Sequence, residues 1–460
     1  MLRDIIKKEI QEIITSPKFV ITFLICTVLI LLSIFTGITS YRAEQKEHTA
    51  ALALNKSSLE SLTTYLSLAP KINKAPQVLS IINSGISDTV GRVVTVSYIG
   101  DSNLTESKNE SQPIFSVYGA LDLTFIVKIV LSLFAILFTY DSIVGEKERG
   151  TLKQMLSCKI PRDRLILGKV IGGYFGLLIP LIIPLTLGSL ILLIYPNINM
   201  SGQDWGRLLL TFLIYFLYLS VFFALGLFVS ARTHKSSNSL LILLFLWITF
   251  VTIIPKIAVL SASQISPVPS VHEITAKKNA FFQQTFGGAQ KRMMDWMKEN
   301  APKTAQDQKA FQDKFKKFQE DFLHEMTSKT DEYNAALERD YQARMRAQER
   351  LAIDLSRISP ASALNFSTMS LARTGLDEYN QFLGSLRAYR MIYSEWMRPR
   401  ILLSGEQGKV NLADMPQYKY EPEALGKSLA RTLPDIGLMA VLIIVFFAGA
   451  YASFLKYDVR

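Results

Sequence analysis

Six stretches of this chain are apolar over the length of a membrane-crossing helix. Phe19–Thr39, Val170–Tyr195 and Leu208–Val229 carry no charge. Leu121–Tyr140 is interrupted only by Asp122 and Lys128, Leu240–Leu260 only by Lys256, and Leu433–Leu455 only by Asp435. A helix needs about 20 apolar residues to cross a hydrocarbon core of about 30 Å. Six such runs predict a mainly α, six-helix polytopic membrane protein, with spans at 19–39, 119–140, 170–195, 208–229, 240–260 and 433–455. The first run exceeds the ~7–15 residues of a signal-peptide core. Ile38-Thr39-Ser40-Tyr41 also lacks a small-residue cleavage pattern, so this run is expected to be a permanent span.

The polar segments between the runs have their own periodicities. Ile5, Ile6, Ile10, Ile13 and Ile14 recur at helical spacing, with Arg3, Lys7, Lys8, Glu9 and Glu12 between them. Residues 1–18 are expected to form an amphipathic helix on the membrane surface, or else a cytosolic extension of the first span, with Pro17 ending it.

Residues 40–118 predict a smaller mixed α/β segment. Tyr41–Leu68 is compatible with an outward continuation of the first helix, and Gly100–Gln112 is a polar loop. Val78–Ile82 and Val93–Tyr98 are β-branched runs that fit short strands. Residues 261–432 predict a large helical domain. No Gly or Pro lies between Pro302 and Pro360, so 303–357 fits one long helix or, broken near Thr327, a hairpin. Phe311, Phe315, Phe318, Phe322 and Met326 share one helical face and are expected to pack between helices. Asp377–Arg400 is a further amphipathic segment, and Gly405–Glu423 a loop leading back to the last span.

Composition narrows the class. The chain has 460 residues, of which 49% are hydrophobic and 19% charged, values that exclude a disordered chain and an ordinary soluble enzyme. Its two cysteines, Cys26 and Cys158, cannot form a disulfide framework. The net charge of +11 has a topological origin. Lys and Arg crowd the short segments 1–18, 140–169, 230–239 and 456–460, while Pro196–Gly206 has none. The positive-inside rule then puts both termini in the cytosol and 40–118 and 261–432 outside, with no nucleic acid as a partner.

Catalytic patterns are incomplete. Gly426-Lys427-Ser428 ends like a phosphate-binding loop, but Glu421 stands where the first glycine belongs. The chain is therefore not expected to hydrolyse ATP itself. His272-Glu273 and His324-Glu325 lack the second histidine of a zinc protease, at Ala276 and Ser328. No metal site is expected, and the four histidines fit surface positions.

Lys128 is the one charge well inside an apolar run. Such a residue is a translocation-path candidate, or else a lysine snorkelling to the outer interface.

The segment 141–169 is the most informative. It begins Asp141-Ser142-Ile143-Val144-Gly145-Glu146-Lys147-Glu148-Arg149-Gly150-Thr151-Leu152 and ends Arg162-Asp163-Arg164-Leu165-Ile166-Leu167-Gly168-Lys169. This string, under a second span, resembles the permease subunits of type-2 ATP-binding-cassette (ABC) exporters. The resemblance implies that 141–169 is a cytosolic coupling region docking on a nucleotide-binding ATPase subunit. Glu146, Glu148, Arg149, Gly150, Thr151 and Leu152 would be the docking residues, with Lys169 closing the motif. It also implies that ATP and Mg act only through the partner subunit, and that the permease works in a bacterial inner membrane as a homodimer or a heterodimer with a related permease. The large insertion before the last span, with Ser359-Pro360-Ala361-Ser362-Ala363 and Leu371-Ala372-Arg373-Thr374-Gly375, is similar to a bacterial subgroup with an extended external domain, which leaves room for an external protein partner. Two other functions fit the same spans: a mechanotransmitter that drives an external partner without transporting anything, and an ATP-independent membrane-anchored binding or sensor protein.

Overall fold

The computed structural model describes residues 2–62, 64–87, 92–96, 103–105, 121–157, 161–196, 198–301, 307–403 and 411–456. The isoleucine periodicity becomes helix α1 (Leu2–Ile14). Pro17 opens the next helix as well as closing α1. The Ser16 hydroxyl accepts from the Phe19 N–H, and proline fills the first turn, where its missing N–H costs nothing. Helix α2 (Pro17–Glu60) then runs unbroken through 44 residues, about 66 Å, so the polar 41–60 stretch does continue the first span.

Three short strands follow, β1 (Lys71–Asn73), β2 (Val93–Thr95) and β3 (Asn103–Thr105). They pair antiparallel in that order, with Ile72 opposite Val94 and Val94 opposite Leu104. Only one of the two expected strands survives. Val78–Ile81 is a 3-10 turn whose Leu79 and Ile81 are buried in the main core, so burial and not pleating uses its apolar residues. β3 falls within the expected polar loop. The rest of that loop, and Cys158, lie outside the described residues.

The second span is α3 (Leu123–Ile126) and α4 (Ser132–Thr139), joined by a π turn at Val127–Leu131. Helices α5 (Val144–Glu148) and α6 (Thr151–Ser157) lead to span three, α7 (Arg162–Ile194). Span four is α8 (Gly202–Arg232). Span five is α9 (Ser236–Ile248) and α10 (Ile254–Ile265) around a second π turn, Thr249–Ile253. Then come α11 (Val271–Glu299), α12 (Asp307–Ser356), α13 (Pro360–Ala372), α14 (Leu376–Leu403) and span six, α15 (Leu425–Leu455). All six expected spans are helices long and apolar enough to cross a membrane.

A π turn disturbs the carbonyl ladder and needs outside donors. The Tyr218 hydroxyl donates to the Lys128 carbonyl at 2.8 Å, and the Ser359 hydroxyl donates to the Phe250 carbonyl.

The chain divides into two compact units, 1–254 with 357–460, and 255–356. In the first, α8 is the central helix, packed on α4, α13 and α15. Helix α13 is apolar, with nine of its residues buried. The 357–403 segment thus belongs with the span-bearing unit, and 261–432 is not one compact body. Helix α14 packs Phe382, Tyr389 and Tyr393 with Ile72, Val94 and Val96 of the sheet region in a second core. The second unit is α10 followed by a hairpin of α11 against an unbroken α12. Of the two alternatives for 303–357, the described residues 307–356 form one long helix without a break near Thr327, and the other arm of the hairpin is the helix 271–299. Trp296 meets Phe311, Phe315 and Phe318, with 4.7 Å between the Trp296 and Phe318 rings. Phe281 stacks on Tyr333 at 3.9 Å.

Candidate functional site

The junction between spans two and three turns at Gly150, whose φ of +75° lies in the left-handed region that glycine enters without a Cβ clash. On the short helix before it, three consecutive side chains reach three parts of the bundle. Glu146 Oε1 accepts from Lys169 Nζ of α7 at 2.6 Å. The same ammonium donates to Glu9 Oε1 of α1 at 2.9 Å. Lys169 is only 5% exposed.

Lys147 Nζ donates to the Ala231 carbonyl and, at 3.3 Å, to the Thr233 carbonyl. These close the C-terminal end of α8, where carbonyls lack helical partners and the dipole favours a cation. Glu148 Oε2 accepts from the Ser236 N–H at 3.1 Å and from its hydroxyl at 2.5 Å. Ser236 is the first residue of α9, where free N–H groups favour a carboxylate. In return, Ser230 Oγ of α8 accepts from the Ile143 and Val144 N–H groups at 3.2 and 3.1 Å.

Helix α1 is held by close backbone approach. Gly168, Gly172 and Gly176 share one face of α7. A Cβ built on them would lie 2.5 Å from Ile5 Cγ2, 2.6 Å from Glu9 Cβ and 2.7 Å from Ile13 Cγ2. Such small-residue stripes let helices pack at short range. Lys18, at the start of α2, pairs with Asp141 at 2.8 Å, and its ammonium sits 4.9 Å from the Tyr140 ring centre.

The expected site residues divide accordingly. Glu146 is half-buried against Lys169, Glu148 is exposed but bonded to Ser236, and Leu152 is fully buried. Arg149 Nε donates to the Gly145 carbonyl of its own helix at 3.1 Å, and the Thr151 hydroxyl lies 3.4 Å from the Glu146 carbonyl. Arg149, Thr151, Lys153 and Gln154 are exposed. Lys128 is not brought to this junction. It stands in the π turn of span two, half-buried, 5.7 Å over the Phe125 ring.

Glu9, Lys147, Ser230 and Ser236 are the contributors that the sequence did not single out. Glu9 left a signal. It falls four residues from both Ile5 and Ile13, so it lies on the packed face and not among the outward charges.

This architecture is that of a known class. The sequence matches the ABC-2 family transporter protein profile over residues 3–459, and the chain belongs to that family. It is 34% identical over 158 residues to the "Probable ABC transporter permease protein NosY" of Pseudomonas aeruginosa, covering 32% of this chain and 54% of that protein. It is 30% identical over 128 residues to the protein of the same description from Stutzerimonas stutzeri, covering 27% and 45%. The chain thus spans about half the length of these curated relatives. Family and relatives together make it an ABC transporter membrane subunit.

Proposed function

We propose that this chain is the permease half of an ATP-driven transporter, and that a separate nucleotide-binding subunit docks on the exposed face formed by Arg149, Thr151, Lys153 and Gln154. The single observation that carries the reading is the three-way reach of Glu146, Lys147 and Glu148. A push on α5–α6 acts at once on α1 and α7, on the end of α8 and on the start of α9. ATP-driven movement of the partner then changes the angles of spans three, four and five together. On this reading the junction faces the cytosol, and 40–118 and the α11–α12 hairpin lie outside. The assembly contains two permeases, either two copies or this chain with a relative. The apolar Leu241, Phe245, Ile257 and Leu260 of span five are exposed and face lipid or that second permease. The docking face is tested by Thr151→Trp, which should lower partner-stimulated ATP hydrolysis while the protein still inserts. Unchanged stimulation in the assembled complex would overturn it.

A second reading, mechanical drive of an external partner without a transported substrate, is favoured by one observation. Helix α12 has 50 residues, about 75 Å, and its aromatic packing on α11 makes a stiff lever. ATP-dependent flux in vesicles separates the two readings, since the lever alone moves nothing across the bilayer.

A further inference from the structure

A cavity of about 770 Å³ opens in the span-bearing unit, away from the 146–148 junction. Its walls come from the outer end of α2, from β1 and the residues after it, from α14 and from the 412–422 segment. The volume is in the range of small-molecule sites, which are largely apolar with a few placed polar groups. Phe382, Tyr389, Leu412 and Met415 give it an apolar side. Lys56, Lys71, Lys74 and Arg373 line it, with Glu60 among the lining residues and the buried Glu378 carboxylate close to Lys74.

Two of those cations are held deep. The Lys74 ammonium sits 5.6 Å over the Phe382 ring. Burial pushes it down to about 8, while the Glu378 carboxylate pulls it upward through space. Arg373 is turned by the one left-handed non-glycine residue among the described positions, its own φ of 58°, a conformation that costs a non-glycine residue energy. Its guanidinium leans on Asp204 at 3.5 Å, yet its buried Nε–H has no acceptor. The buried Nδ1 of His48, another lining residue, also lacks a partner. Buried polar atoms are normally satisfied, so the Arg373 Nε–H points to an absent acceptor group, while the buried Glu378 oxygens beside Lys74 are likewise without a hydrogen bond.

We infer that this cavity binds a small amphipathic anion, its carboxylate or phosphate set between Lys74 and Arg373 and its aromatic or aliphatic body laid against Phe382, Tyr389, Leu412 and Met415. The Phe382 face serves both ends, stacking on the body and holding the Lys74 cation in place. Such a site would make the protein responsive to, or selective for, an organic acid. It stands whichever reading of the junction is right.

The test uses the full-length protein in nanodiscs and three probes of one shape: naphthalene-1-acetate, its neutral amide and 1-naphthylmethylammonium. Binding is measured by equilibrium dialysis against empty nanodiscs. Expected is saturable binding of the acetate at least tenfold tighter than of the amide or the ammonium. Lys74→Gln should bring the acetate down to the level of the amide and leave the amide unchanged, while Phe382→Ala should weaken both. No saturable binding, an ammonium preference, or an acetate affinity untouched by Lys74→Gln overturns the proposal. If Lys74→Gln loses both ligands, Lys74→Arg decides. Its recovery of the acetate preference supports the site, and its failure to do so overturns it.

Discussion

Lys169 and Glu146 stand 2.6 Å apart across the gap between span three and the helix after span two. Their contact is shielded from water, and Glu9 approaches the same ammonium from α1. Two carboxylates on one lysine leave the cluster with one excess negative charge. Desolvating such a group is costly unless each charge keeps its partner. The cluster therefore serves as a registration point more than as a source of stability. It fixes where α5 sits on α7, and α1 can add to it or leave it.

The three partners are consequently unequal. Lys169→Met leaves two buried carboxylates facing each other, and breaking a buried pair from one side costs about 3–5 kcal/mol. It should lower the thermal midpoint of the purified protein most. Glu9→Gln removes the excess charge, keeps the Lys169–Glu146 pair, and should change the midpoint little. Glu146→Gln should fall between them and also uncouple partner-stimulated ATP hydrolysis. Thermal unfolding of the three variants in one detergent checks the order. A Glu9→Gln loss as large as that of Lys169→Met would show that α1, not the pair, carries the contact.

Packing of α1 on the glycine face of α7 has a direct chemical readout. The Cβ built on Gly176 is 3.3 Å from Ile13 Cβ, close to the ~3.5–4.5 Å that a disulfide bridges. In a chain with Cys26 and Cys158 replaced, Ile13→Cys with Gly176→Cys should crosslink under mild oxidation. Adding Gly172→Leu, whose side chain would enter the space of Glu9, should abolish the crosslink. A crosslink that survives Gly172→Leu would mean that α1 is not seated by this face.

The six spans were legible in the sequence because twenty consecutive apolar residues are a property of one segment. The same holds for the aromatic stripe of α12, since Phe311 to Phe322 share a face whatever they pack on. The sequence did not tell which segment supplies the partner. Trp296 does so, from a segment that the sequence did not single out. The 141–169 segment stood out in the sequence by its charged string, but the contacts inside it did not. Nothing in Glu146-Lys147-Glu148 says that each side chain ends on a different element, since Lys169, Ala231 and Ser236 are brought there by the fold. The π turns are equally silent, because Tyr218 and Ser359 reach them from other helices. The strand expected at Val78–Ile82 failed for the converse reason, its β-branched residues being drawn into the core by helices the local pattern does not contain.

Orientation rests on charge bias and is open to labelling. His234 is exposed in the turn between α8 and α9, and Ser328 is exposed on α12. Ser236 is unsuitable as a probe because it holds Glu148. In intact cells Ser328→Cys should react with a membrane-impermeant thiol reagent and His234→Cys should not. After the membrane is opened, both should react. Labelling of His234→Cys in sealed cells would invert the topology and place the Arg149–Gln154 face away from ATP.

The α11–α12 hairpin can be removed at a point that the structure defines. Gln348 Nε2 donates to the Ser266 carbonyl at 2.9 Å, so the two arms of the chain come together there. Everything from 270 to 345 can be replaced by a short Gly-Ser linker without stretching either arm. A cut carried through Arg357 would do more, because its guanidinium holds the buried Asp435 of α15 at 2.9 Å. Arg357→Met should therefore destabilise the spans even with the hairpin present, leaving Asp435 without its cation. The 270–345 replacement should instead insert, keep the thermal midpoint of the spans and still assemble with its ATPase. Its transport or mechanical output should be lost, since on the proposed reading the hairpin is the part that touches substrate or partner. Size-exclusion chromatography with the partner, followed by the output assay, separates the outcomes. Normal output from the shortened chain would reduce the hairpin to packing mass. Failure to insert would make it part of the membrane fold.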